Sequence, residues 1–372
     1  MRPARDYALR GCEILVPRTL KLWNFRIATS PDVWMRALYR GWNLLRWAAS
    51  GRKRGSRPEF PNTLGQPPKT QDRSLTIKAV NANPPLLLIA EYSSMAPILD
   101  ACLADCRAAL LHDVFSLRAE SFRRANLSPD HAPISLATEA SWLEAADLCI
   151  YASAKEARLL NKKLPEKQHI WLPPAVRRKA SSDDGPPRAV FIGVRHAGNR
   201  DALNFLLQDI WPRTHAARPG AELLIVGEIG AEVHNAPSGV RVLGRVKDLS
   251  TIGGTSSIGL APTRAGSGAS IKIVTYLENG MSVLASSKAL EGYDGALDGL
   301  VERADTAHAF SDKLINLLAN HDYRETTAQH GACMISESID NIELDRTLRR
   351  IARGSIAPIA LPLRSHQTPT RS

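Results

Sequence analysis

The densest chemistry in the chain lies at Gly266-Ser267-Gly268-Ala269-Ser270-Ile271-Lys272. Glycines at 266 and 268 let another group approach the backbone closely. A helix opening just after them presents unbonded N–H groups and the positive end of its dipole. Lys272 falls one turn in and adds a compact positive charge. Together these suit an oxyanion, and a pyrophosphate above all. A second glycine-bearing turn runs Gly193-Val194-Arg195-His196-Ala197-Gly198-Asn199. Either glycine, Gly193 or Gly198, with Arg195 or Asn199, is placed to reach the same phosphates. The turn lacks the third glycine of GxGxxG, with Asp201 standing there, which argues against NAD.

These turns need strands before them and helices after them, and the sequence supplies both. Ala189–Ile192 and Ile258–Ala261 are short, wholly apolar runs, as buried parallel strands require. Further strands are expected at Glu222–Val226, Val240–Leu243 and Ser282–Ala285, with helices near Asp201–Ile210, Ser270–Asn279 and Ala307–Ala319. The first half alternates likewise. Strands are expected at Leu86–Glu91, Ala108–His112, Leu148–Tyr151 and His169–Leu172, and helices at Pro97–Ala104, Leu136–Ala146 and Ala154–Leu160. Strand–helix alternation in both halves predicts an α/β protein with two doubly wound parallel sheets facing across a cleft. The expected division is 1–57, 75–178, 186–350 and a flexible tail 354–372, with loop or linker over 51–74 and an interdomain linker marked by Pro173-Pro174 and 181–187.

A chain of 372 residues with 44% hydrophobic and 23% charged residues suits two soluble cores. No apolar run approaches the ~20 residues needed to span a bilayer, and no secretory leader is visible. A cytoplasmic protein is expected. Its five cysteines are scattered; Cys102 and Cys106 are four apart and on a helix would share a face, but no matching pair or His cluster is nearby, so buried free thiols are expected and not a zinc site. Residues 1–57 hold thirteen Arg or Lys against three acids, which is ten of the net charge of +11, and four of the seven tryptophans. Within them Val33–Ser50 reads as an amphipathic helix. Trp34, Leu38, Gly41, Trp42, Leu45 and Ala49 fall on one side, and Arg36, Tyr39, Arg40, Asn43, Arg46 and Ser50 on the other. Three readings fit it. It is a helix lying on an anionic membrane through residues 33–54, a core helix with a basic outer face, or a nucleic-acid surface. The near-neutral charge of the remaining residues speaks against the last.

The segments FIGVRHAGNRDALNFLLQDIWP, AELLIVG, GVRVLGRVKDL and IGLAPTRAGSGASIKIVTYLENGMSVLASSKALEGY, over roughly 188–320, resemble the C-terminal domain of family 4 (group 1) GT-B glycosyltransferases. AEYSSMAP, LLHDVFSLR and ADLCIYASAKEARLL are similar to the N-terminal half of that family more loosely. The resemblance implies two Rossmann-like domains and a nucleotide-diphospho-sugar donor, with no resident cofactor and no bound metal. It places Gly193, Arg195 and Asn199 near the diphosphate with Gly266, Ser267, Gly268 and Lys272. It gives Gly244, Arg245 and Val246 to the base, and His112 to the reacting sugar from the other domain. Glu91 and Tyr92, ending the preceding strand, are candidates for the acceptor, a glycan or lipid-linked sugar. Polysaccharide or glycoconjugate synthesis at the inner face of the plasma membrane is the implied setting.

The departures are local. Relatives usually carry Arg where Ser270 stands and Glu where Thr275 stands. That Glu contacts sugar or ribose hydroxyls, so a charge-assisted hydrogen bond is lost. Glu278, three residues on and on nearly the same helix face, is the candidate to take over part of its role. The usual glycine-rich acceptor loop of the family has no counterpart in the first 75 residues.

Overall fold

The computed structural model describes residues 19–22, 25–29, 31–49, 65–174, 185–328 and 342–353. The expected tail over 354–372 and residues 175–184 of the expected linker lie outside them. The chain divides into two compact units, residues 1–63 with 68–83, and residues 64–67 with 84–372.

In the smaller unit, β1 (Thr19–Leu22) and β2 (Phe25–Ala28) pair antiparallel. They precede helix α1 (Pro31–Ala49). Helix α2 (Thr70–Asn81) follows and falls in the same unit. The sequence reading had loop up to residue 74 and began the N-terminal domain at 75. The helix starts earlier because Thr70–Asn81 lacks any interior Gly or Pro, and it buries no side chain that an apolar stripe would have revealed. On α1 the expected apolar side is in solvent: Trp34, Leu38, Trp42 and Leu45 are 48%, 68%, 62% and 67% exposed.

The larger unit holds two parallel sheets. The first comprises β3 (Leu87–Glu91), β4 (Cys106–Leu111), β5 (Leu148–Tyr151) and β6 (Gln168–Trp171), paired in chain order. The 3-10 helix Ser93–Ala101 follows β3, and α3 (Phe115–Arg124), α4 (Leu136–Trp142) and α5 (Ala154–Lys163) follow in turn. One face of the sheet carries Ala109, Leu111, Cys149 and Tyr151 against Leu143, Ala157 and Leu160. The other carries Cys106, Ala108, Leu148 and Ile150 against Ile351. Ile351 belongs to the helix Ile342–Ala352, whose Thr347 also accepts a hydrogen bond from Gln168. This helix, counted with the second domain (186–350) on sequence grounds, packs instead on the first sheet. Its apolar positions are legible, but which sheet they reach is a matter of chain path. Cys102, Cys106 and Cys149 are buried free thiols, and burial pushes those of Cys106 and Cys149 up to about 11 and about 12.

The second sheet comprises β7 (Arg188–Ile192), β8 (Glu222–Val226), β9 (Val240–Gly244), β10 (Ser257–Ala261), β11 (Ser282–Ala285) and β12 (Glu302–Arg303). Its order is β12-β11-β10-β7-β8-β9, all parallel. Helix α6 (Ala197–Phe205) runs through a π-turn, Leu206–Ile210, into α7 (Trp211–Ala217), and with α10 (Ala307–Ala319) covers one face. Helices α8 (Ile271–Glu278) and α9 (Ser287–Leu290) cover the other. Alternate residues feed opposite cores: Ala189 and Phe191 one way, Val190 the other. That is why the strands read as unbroken apolar runs.

Strand order reverses between β7 and β10. A tyrosine holds the fork open: the Ile192 N–H donates to the Tyr276 hydroxyl at 2.9 Å, and that hydroxyl donates to the Leu260 carbonyl at 3.0 Å. Gly259 makes room for the ring, since a Cβ there would stand 2.2 Å from Tyr276 Cγ.

Candidate active site

Parallel strands send their loops to one edge, and ligands of such sheets collect where the strand order reverses. Both glycine-bearing turns lie there. The loop after β7 carries Gly193 to Asn199, and the loop after β10 carries Gly266 to Ser270.

Between them sits Lys272, in the first turn of α8. Its ammonium donates to Asn199 Oδ1 at 2.7 Å and lies 4.5 Å from the centre of the Phe191 ring. Asn199 is fixed in turn, its Nδ2 donating to the Val194 carbonyl at 3.0 Å. Gly193 keeps this fit tight, because a Cβ would come within 3.1 Å of Asn199 Nδ2. The lysine residue as a whole is half-buried and its ammonium is enclosed. Desolvation alone pushes it down to about 7, with no carboxylate to counter it.

His196 was passed over as a site residue although it stands in the quoted turn. It caps α6, its Nδ1 accepting the Asn199 N–H at 3.2 Å. Burial, then Arg118 and Lys272, push it down to about 4, so it is neutral at physiological pH. Arg118, which the sequence leaves open as a surface residue, is buried beside it. Its side chain, 12% exposed, comes from α3 of the first sheet, held by Asp130 at 3.1 Å and Asp113 at 3.6 Å. Asp130 also accepts the Ala197 N–H at the start of α6, at 3.3 Å. Histidine is not one of the residue types that mark a helix N-cap, so its capping was not legible in the sequence, and nothing local to Arg118 signals its reach.

Other expected residues are placed as follows. The Arg195 guanidinium pairs with Glu232, which Arg200 also approaches. The sequence could not show that partner, since it lies in the 3-10 turn after β8. Gly244 has φ +66° with open space beside it, Arg245 pairs with Glu228, and Val246 packs on the α8 face of the sheet. Thr275 turns its hydroxyl to the Ile271 carbonyl of its own helix at 3.0 Å. Glu278 is half-buried, six residues along α8 from Lys272.

The Gly266–Gly268 loop is where expectation and structure part. Its amides were expected to be open to phosphate. Instead the Gly266 N–H donates to Ser121 Oγ at 3.1 Å and the Gly268 N–H to Glu156 Oε1 at 2.7 Å, both from the first-sheet domain. Ser267 Oγ donates to Asp113 Oδ1 at 2.9 Å. Gly268, at φ +71°, sits against the His112 carbonyl; a Cβ would stand 2.2 Å from that oxygen. The amides are occupied because the other domain's acceptors come to them, which local sequence does not encode. At the start of α8 the N-cap residue Ser270 makes no side-chain capping bond.

His112 stands beside the loop through its backbone carbonyl. Its Nε2 lies 2.8 Å from Glu91 Oε1, and its ring meets that of Tyr92 at 5.1 Å. Tyr92 has φ 70°, a conformation that costs a side-chain-bearing residue energy and that concentrates at functional sites. Glu91, Tyr92 and His112, from the ends of β3 and β4, form one cluster. Among the described residues no group of three His, Cys, Asp or Glu could hold a metal ion.

Solved structures share this arrangement of two parallel-sheet domains. A sucrose-phosphate synthase from Thermosynechococcus elongatus matches with TM-score 0.57 and 15% identity, over 88% of this chain and 93% of that one. A UDP-forming α,α-trehalose-phosphate synthase from Burkholderia xenovorans matches with TM-score 0.58 and 10% identity, over 91% and 90%. The fold is GT-B. HepE of Anabaena, solved in complex with UDP and glucose, matches the same GT-B architecture with TM-score 0.56 and 11% identity, over 76% and 81%. Residues 186–320 match the family described as glycosyl transferases group 1. These residues span the second GT-B domain, with both glycine-bearing turns. No curated protein matches the sequence as a relative.

Proposed function

We propose that this chain is a glycosyltransferase that takes a sugar from a nucleotide-diphospho-sugar and passes it to a glycan or lipid-linked acceptor. The observation that carries this is Lys272, an enclosed ammonium at the strand-order reversal that donates to a neutral amide oxygen. A diphosphate there would meet Lys272, the start of α8 and the field of Arg118. The leaving diphosphate would be stabilised by these fixed charges, without a metal. His112, oriented by Glu91, would face the reacting sugar. The match of 186–320 to group 1 glycosyl transferases and the UDP and glucose held by HepE support the donor class.

The test is a thermal-shift screen of nucleotide sugars and nucleoside diphosphates, followed by transfer assays with the donor found. A donor that binds the native state raises its melting temperature. His112→Ala is expected to lower kcat by tenfold or more, on the order of one general acid–base or orienting contribution. Failure of every nucleoside diphosphate to stabilise the protein would remove the proposal.

A second reading, donor binding without transfer, rests on Thr275: its hydroxyl is spent on its own helix where a carboxylate was expected. Transfer above background decides against it. The exposed Trp34, Leu38, Trp42 and Leu45, beside thirteen basic residues in 1–57, support docking of α1 on an anionic membrane in polysaccharide or glycoconjugate synthesis. No described helix is long and apolar enough to cross a membrane. Flotation with anionic liposomes, lost on deleting 1–57, is the expected result; flotation unchanged by that deletion refutes it.

A further inference from the structure

The start of α5 reads Ser153-Ala154-Lys155-Glu156, the spacing of a capping box. Half of the box forms: Ser153 Oγ accepts the Glu156 N–H at 3.4 Å. The glutamate does not return the bond. Its carboxyl leaves its own helix and accepts the Gly268 N–H from the other domain at 2.7 Å, while Oε2 is buried without a partner. The residue is 3% exposed. On the far side of Gly268 stands the His112 carbonyl, so close that no side chain fits between them.

We propose that Glu156 is a positioning residue that latches Gly268, and with it the Gly266–Gly268 loop, onto the His112–Asp113 turn. It would fix how the candidate catalytic histidine faces whatever the second domain holds. Only that last clause rests on the donor reading. Ser121 on Gly266 and Asp113 on Ser267 complete the seam.

The latch works as a neutral acid. The charged groups that face Glu156 are Asp113 after β4, Glu139 of α4 and Lys288 of α9. Burial, with the two carboxylates, outweighs Lys288 and the Gly268 N–H and pushes the carboxyl up to about 8. Below that pH the protonated acid still offers an oxygen to Gly268. Above it the buried carboxylate gains by reaching water, and the seam loosens.

Hydrogen exchange over residues 262–270, corrected for the intrinsic rate at each pH, tests this in the full-length protein. At pH 7, Glu156→Ala is expected to exchange there about tenfold faster than wild type, the scale of one lost hydrogen bond. Glu156→Gln, an isostere of the neutral acid, is expected to match wild type. At pH 9 the wild-type loop is expected to loosen towards the alanine variant, while the glutamine variant does not. Should the alanine variant fail to fold, the comparison of wild type with Glu156→Gln at the two pH values decides alone. Equal loosening of both at pH 9, or protection of the loop in Glu156→Ala, overturns the latch. UDP binding, followed separately by calorimetry, reports on the donor reading: no binding by wild type removes that reading and leaves the exchange result to decide the latch.

Discussion

Lys272 makes the donor reading quantitative. Burial takes its ammonium from the ordinary 10.5 down to about 7. That is a desolvation cost of about 5 kcal/mol at about 1.4 kcal/mol per pH unit. A bound diphosphate, with its negative charge beside the ammonium, restores the ordinary value or exceeds it. Binding above pH 7 must therefore take up a proton. At pH 8 the free site is about one-tenth protonated and the complex nearly fully so, which predicts uptake of about 0.9 proton per ligand. Affinity is expected to be flat just below pH 7 and to fall about tenfold per unit between pH 7 and 10. Calorimetry with UDP in buffers of different ionisation enthalpy measures the uptake directly. Lys272→Met is expected to abolish both the uptake and the pH slope. Uptake below about 0.2 proton at pH 8, or the same uptake in Lys272→Met, refutes the placement of diphosphate at this lysine. The same shift has the opposite sign for the free protein. Between about 7 and 10.5 the unfolded chain keeps the proton that the folded chain has lost, so Lys272 adds stability as pH rises through that window.

Three further outcomes follow from the same geometry. Gly268→Ala forces a Cβ against the His112 carbonyl from a left-handed backbone, and is expected to cost on the order of 1–3 kcal/mol, read from the denaturant midpoint. Tyr276→Phe leaves the Ile192 N–H and the Leu260 carbonyl unpaired at the fork between β7 and β10, a loss of about 1–3 kcal/mol measurable as a fall in Tm. His196, held down to about 4, costs stability as pH falls from its ordinary 6.5 towards 4, because the unfolded chain gains a proton that the folded histidine refuses; His196→Asn, which keeps a cap, is expected to flatten that part of a stability–pH profile.

The sequence by itself determined most of the scaffold. Glu222–Val226, Ser282–Ala285, Leu148–Tyr151 and Ala307–Ala319 fall on the residues expected, because a strand covered on both faces must be continuously apolar and a helix must repeat near 3.6. The two glycine turns and the placing of Lys272 in the first turn of its helix are local chain properties, and they too were legible. The two-residue β12 was not, since such a strand is fixed by its neighbour and not by its own pattern. What only the tertiary structure decided is which groups meet. Asn199 receives Lys272, Glu232 takes Arg195, Asp130 crosses to α6, and Glu156 abandons its own helix cap for Gly268. Each of these pairs is far apart in sequence, and a charge or an amide bonds to whatever the packed sheets bring within about 3 Å of it. Hydrophobic periodicity fixes the sheets; burial, acting through distance, then sets the protonation of Lys272, His196 and Glu156, and no spacing along the chain contains that information.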